Sequence, residues 1–136
     1  MKVIVDTSIW SLALRRKNRI DPPVVNALEE LIADGRVQMI GAIRQEILSG
    51  LKSKAQFNRL RNILRAFPDL NHSPDDYELA ARFYTTCRSA GIQGSNTDFL
   101  ICAAAVRHDM NIFTNDNDFA LFQKHIDISI YTGAFH

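Results

Sequence analysis

Four carboxylates in this chain stand where acid side chains can be gathered for chemistry. Asp6 directly follows the apolar run Val3–Val5, and Asp116 follows a second such run, Asn111–Phe113, by three residues. If both runs are parallel strands, the two acids lie at the same edge of one sheet, where open α/β sheets bind their ligands. Asp98 opens a long apolar stretch, and Glu46 lies between Ile43 and Ile47. Each position also has a plainer structural use. Acids at strand ends cap the next helix, a first-turn Asp complements the helix dipole, and Glu46 can sit on an exposed helix face. Gathered together, however, carboxylates repel: two unit charges about 4 Å apart cost about 1 kcal/mol in water and about 4 kcal/mol at an effective dielectric of 20. A cluster therefore implies a cation, and all-oxygen ligation selects Mg²⁺ or Mn²⁺ over Zn²⁺. The chemistry such an ion supplies is a deprotonated, oriented water and neutralised charge on a phosphodiester.

Other chemistries lack their parts. His72, His125 and His136 read as exposed, and His108 reads as a structural residue on the buried side of a helix. Gly91-Ile-Gln-Gly94 lacks the lysine and strand context of a phosphate loop, and Ser8 has no neighbouring base. A receiver-like phosphoryl-accepting Asp needs a lysine after a late strand, and none follows Asn111–Phe113. Cys87 and Cys102 fit no metal-ligand spacing and are expected to be thiols; Cys102 reads as core and Cys87 as a helix-face residue.

The 136 residues, with 46% hydrophobic and 23% charged content, are those of one ordinary globular domain spanning 1–136. No apolar run approaches the roughly 20 residues of a membrane span. The start, Met-Lys-Val-Ile-Val-Asp, meets a charge too early for a signal peptide, so a cytoplasmic location and no membrane partner are expected. A net charge of +1 announces no nucleic-acid partner, but the distribution is uneven. No acid falls between Glu46 and Asp69, while Lys52, Lys54, Arg59, Arg61 and Arg65 do, and Arg15, Arg16, Lys17 and Arg19 form a second cluster. Such clusters contact phosphates or simply line solvated faces.

The elements that must position the acids follow from periodicity. The spacing predicts strands at 2–5, 37–40 and 111–113, with an edge strand at 128–131. It predicts helices from Thr7 to about Arg16, from Pro22 to Gly35 with Val25, Leu28, Leu31 and Ile32 inward, and from Ala42 to Ser49. Further helices are expected at 53–66, with Phe57, Leu60, Leu64 and Phe67 as one stripe, and at 75–89, with Leu79 and Phe83 inward and Cys87 a candidate to join them. The next is capped by Asn96 or Thr97 and buries Leu100, Ile101, Ala104, Ala105 and His108; a short one covers 119–124. Strands alternating with amphipathic helices define an α/β fold, a short, mainly parallel central sheet flanked by helices on both faces.

Val5-Asp-Thr-Ser8, Glu46-Ile-Leu-Ser-Gly50, Asp98-Phe-Leu-Ile-Cys-Ala-Ala-Ala105 and Thr114-Asn-Asp-Asn-Asp-Phe119 come in the order and spacing of the PIN domain. Over essentially its whole length the chain resembles the VapC-type toxins of toxin–antitoxin pairs. The resemblance implies a PIN-like fold and a Mg²⁺-dependent endoribonuclease, with Mn²⁺ able to substitute. It puts Asp6, Glu46, Asp98 and Asp116 around the metal, with Thr7, Ser8, Thr114 and Asp118 as auxiliary residues. It also implies a homodimer held inactive by a VapB-like antitoxin. Lys54, Arg61 and Arg65 are the candidate RNA contacts. A non-catalytic PIN-like module that binds RNA or protein is the alternative, and DNA cleavage by a flap-nuclease-like relative a third reading.

Overall fold

A computed structural model describes residues 1–14 and 22–133; the basic cluster at Arg15, Arg16, Lys17 and Arg19, the end of the first helix, and His136 lie outside the described residues. At its centre are three parallel strands, β1 (Val3–Val5), β2 (Val37–Gln38) and β3 (Asn111–Phe113), in the order β2-β1-β3. β1 is wholly buried, as a run of β-branched residues with a parallel neighbour on each side should be. Val3 pairs with Val37 and Asn111, and Val5 pairs with Phe113. That register brings the chain out of β1 and β3 at the same sheet edge, with Asp6 next to the residues after Phe113. β2 is shorter than expected because Met39 turns instead to Asp69 through an isolated parallel bridge, and Ile40 already precedes the next helix. The expected last strand is likewise a single bridge, Ile112 to Ile130.

The helices are α1 (Thr7–Leu14), α2 (Pro22–Ala33), α3 (Gly41–Leu48), α4 (Lys54–Leu64), α5 (Pro74–Ser89), α6 (Asn96–Arg107) and α7 (Asp118–Gln123). α2 buries Val25, Leu28 and Leu31, but Val24 and Ala27 take the inward place that the spacing gave to Ile32, which is 39% exposed. Gly35, at φ +67°, ends α2 in the left-handed conformation that glycine adopts without steric cost. Ser53 caps α4 by accepting the Gln56 N–H. Leu60 and Leu64 are buried, whereas Phe57 lies at the exposed margin and Phe67 packs edge-on against Trp10. Arg44 of α3 fastens the end of α4, donating to the carbonyls of Leu64 and Phe67 and to the Asp69 carboxylate.

α5 packs more extensively on α6 than any other two elements pack together among the described residues. Between them lies Asp76, fully buried, accepting from Arg107 Nε at 2.6 Å and facing His72 Nδ1 at 3.1 Å and His108 Nε2 at 3.2 Å. His72 is therefore half-buried, not exposed as its polar sequence neighbourhood suggested, because a buried carboxylate needs donors. His108, expected on the buried side of α6, is exposed instead, because α6 ends at it and its ring only reaches back to Asp76 from the rim. Cys102 is core, and so is Cys87, which faces α6 and not solvent.

Candidate functional site

Asp6 is 4% exposed at the end of β1, and its carboxylate does two jobs. Oδ1 accepts from the Ser8 N–H (3.1 Å), the Ser8 hydroxyl (2.6 Å) and the Ile9 N–H (3.4 Å), which caps α1. Oδ2 accepts from the Thr114 hydroxyl at 2.6 Å, across 108 residues of chain. Burial raises the Asp6 pKa above its usual value even against these four hydrogen bonds. The two hydroxyls reach further. Ser8 Oγ accepts the Asn115 N–H and Thr114 Oγ1 accepts the Asp116 N–H, so they tie the loop after β3 to the end of β1.

The other three acids approach from different elements. Glu46, exposed on α3 while Ile43 and Ile47 beside it are buried, accepts the Thr7 hydroxyl at 2.6 Å. Asp98 stands in the first turn of α6; its Oδ2 accepts the Ser95 N–H while Ser95 Oγ accepts the Asp98 N–H. Burial raises the Asp98 pKa, the Ser95 bonds oppose the rise, and the negative charges of Asp116 and Glu46 add to it. Asp116 Oδ1 accepts the Asp118 N–H at 2.9 Å, which starts α7, and the Asp118 side chain is exposed. Hydrogen bonds join Thr7 to Glu46 and Thr114 to both Asp6 and the Asp116 N–H, and the charges of Asp116 and Glu46 reach Asp98. All four acids of the sequence pattern are thus brought to one edge, together with Thr7, Ser8, Thr114 and Asp118.

None of the four acids is hydrogen-bonded or ion-paired to a cationic side chain among the described residues, so nothing in that set neutralises them. Among the same residues no group of three or more His, Cys, Asp or Glu side chains stands close enough together to hold a metal ion by itself. Mg²⁺ is commonly held by one or two carboxylates and several waters, so an open, all-oxygen, uncompensated set fits such an ion. Volume does not mark the place. An apolar groove of about 450 Å³ between α5 and α6, lined by residues including Tyr77, Tyr84, Thr97 and Leu100, contains none of the acids. Lys54, Arg61 and Arg65 lie on or just past α4, which packs against α3, and no hydrogen bond joins them to the acids. Ser95 was not expected from the sequence as a cap, a role given to Asn96 or Thr97. The Ser-x-x-Asp spacing of a capping box, Ser95 to Asp98, was the signal that could have found it.

Comparison with known proteins agrees with the fold. A family model described as "PIN domain" matches residues 3–124. No curated protein matches the chain in sequence. Among solved structures, FitAcB from Neisseria gonorrhoeae superposes with a TM-score of 0.76 at 21% identity, covering 98% of this chain and 99% of that one. VapBC2 from Rickettsia felis, bound to a DNA fragment from its promoter, gives 0.77 at 20% identity, with 96% and 98% covered. The toxin–antitoxin protein VapBC-5 from Mycobacterium tuberculosis gives 0.69 at 20% identity over the same shares. At these identities the likeness is one of fold.

Proposed function

The chain belongs to the PIN-domain family, and from that premise we propose that it is a divalent-metal-dependent endoribonuclease, the toxin of a VapBC-type pair. PIN domains are generally nucleases, which places it at the coarse level among hydrolases. One observation carries the finer reading. Asp98 is loaded with the charge of Asp116 and Glu46, and none of the four acids has a cationic partner among the described residues.

In this reading Asp6, Glu46, Asp98 and Asp116 hold Mg²⁺ or Mn²⁺. The ion, when bound, lowers the pKa of a coordinated water and offsets charge developing on the phosphodiester. The chain itself supplies order. Ser8 and Thr114 grip both oxygens of Asp6, so the carboxylate cannot swing, and Thr7 tethers Glu46 across from α3. Asp118 holds the Asp116 carboxylate through its backbone N–H. Lys54, Arg61 and Arg65 form a basic strip along α4 that contacts the RNA backbone. The toxin assignment, the VapB-like antitoxin and the homodimer rest on the resemblance to VapC-type proteins and on the fold shared with toxin–antitoxin proteins.

The test is cleavage of RNA by the purified chain with Mg²⁺, with Mn²⁺, and in EDTA, alongside Asp98→Asn. We expect fragments with either metal, and none in EDTA or from the variant. Undiminished cleavage in EDTA overturns the metal mechanism. Expression should arrest growth, and co-expression of a VapB-like antitoxin should relieve it; arrest by Asp98→Asn as strong as by the wild type refutes the toxin reading.

A further inference from the structure

We propose that Ser95, seated by Gly94, is a positioning residue that orients Asp98 for metal binding, beyond its role as a helix cap. The inference rests on the metal-site reading above and concerns a residue outside the acidic set. Ser95 and Asp98 exchange two hydrogen bonds, Asp98 N–H to Ser95 Oγ at 3.0 Å and Ser95 N–H to Asp98 Oδ2 at 3.1 Å. Oδ2 is thereby held by the backbone, and Oδ1 is left without a hydrogen-bonded protein partner among the described residues. A carboxylate anchored by one oxygen presents the other in a single direction. Unanchored, the Asp98 carboxylate would swing away from the like charges of Asp116 and Glu46.

What sets Ser95 is a close approach of backbone to aromatic rings. A Cβ on Gly94 would lie 2.7 Å from Phe122 Cζ and 2.9–3.0 Å from the Phe99 ring, so only glycine lets the loop lie this flat. Phe99 follows Asp98 on α6, and Phe122 lies on α7, the helix that Asp116 and Asp118 lead into; the two rings stand 4.8 Å apart. One seat thus fixes the Ser95 loop against both elements whose acids must meet.

A cap that only stabilises the helix and a residue that aims a ligand differ in what they move. Ser53 is the control, because its hydroxyl caps α4 in the same way without touching an acid of the site. We would measure Mn²⁺ affinity by electron paramagnetic resonance and by calorimetry, with thermal unfolding in EDTA, for wild type, Ser95→Ala, Ser95→Pro, Ser53→Ala and Asp98→Asn. Ser95→Ala and Ser53→Ala should lower the unfolding midpoint similarly. Only Ser95→Pro, which removes the N–H that holds Asp98 Oδ2 and fits the φ of −81° at this position, should weaken Mn²⁺ binding, by about 10-fold or more, the usual effect of losing a partner of a metal ligand. Ser95→Ala, which keeps that N–H and loses only the cap, should bind Mn²⁺ as the wild type does. Ser95→Pro with wild-type affinity, while Asp98→Asn loses binding, overturns the positioning role and leaves the site intact. Wild-type affinity in Asp98→Asn, or no binding by the wild type, overturns the site reading and this inference with it.

Discussion

Each acid of the site is constrained by an ordinary backbone need as well as by chemistry. Asp6 caps α1 and Asp98 completes the capping box of α6 with Ser95, yet both have raised pKa values because burial outweighs the bonds that favour their ionised forms. The sign follows from linkage. A carboxyl whose native pKa is raised contributes stability below its unfolded value of 3.8, and that contribution is lost as pH rises through the native pKa. At neutral pH the ionised groups therefore subtract from stability when no cation is present. Asp98→Asn and Asp6→Asn should abolish RNA cleavage while unfolding, in EDTA, at the wild-type temperature or higher. A clear loss of apo stability in both variants would show that their structural bonds outweigh the charge.

At the scale of elements, α6 is held at both ends. Its 12 residues span about 18 Å, with Ser95 and Asp98 at one end and Arg107 and His108 on Asp76 at the other. Burial alone would raise the Asp76 pKa, but the bonds from Arg107, His72 and His108 prevail and lower it from 3.8 to about 2. Its stabilising contribution is thus present above 3.8 and lost as pH falls through about 2. Unfolding free energies taken from pH 5 down to pH 2 should fall more steeply for wild type than for Asp76→Asn, by on the order of 2 kcal/mol. Parallel curves would show that the cluster is not coupled to folding. α4 offers a second test. Reversing the charge of Arg61 and Arg65 should weaken RNA binding and flatten its dependence on salt, since each lost phosphate contact removes about one released counterion. An unchanged slope returns α4 to the role of a solvated face.

For the whole molecule, the central sheet and the helices on it bring four repelling carboxylates to one edge, and folding without a cation must bear that repulsion. Mg²⁺ or Mn²⁺ should therefore stabilise the native state by mass action, by about 2.7 kcal/mol at a hundredfold excess over Kd. Differential scanning calorimetry would read this as a rise of several degrees in the unfolding midpoint. No shift in wild type, or an equal shift in Asp98→Asn, contradicts a metal bound by these acids. Among the described residues no helix is long and apolar enough to cross a membrane.

Local pattern alone determined much of this protein. A buried run such as Val3–Val5 reads as a central parallel strand because nothing polar interrupts it, and the acids that end such runs fall at one sheet edge by connectivity. The helix spacings placed Asp98 in a first turn and Glu46 beside two buried isoleucines, although Glu46 entered the site mainly through the family resemblance. Only tertiary structure decided what depends on partners distant in sequence. Asp76 draws Arg107 and His108 to itself from 31 and 32 residues away. Phe57 is left 36% exposed at the rim of a groove shared with α3. The site shows the same division. Which residues are acidic is written in the chain, but the grip of Thr114 on Asp6, 108 residues away, exists only once β3 lies beside β1. The anchoring of Asp98 depends on the flat seat of Gly94 on two aromatic rings, a contact that no local spacing encodes.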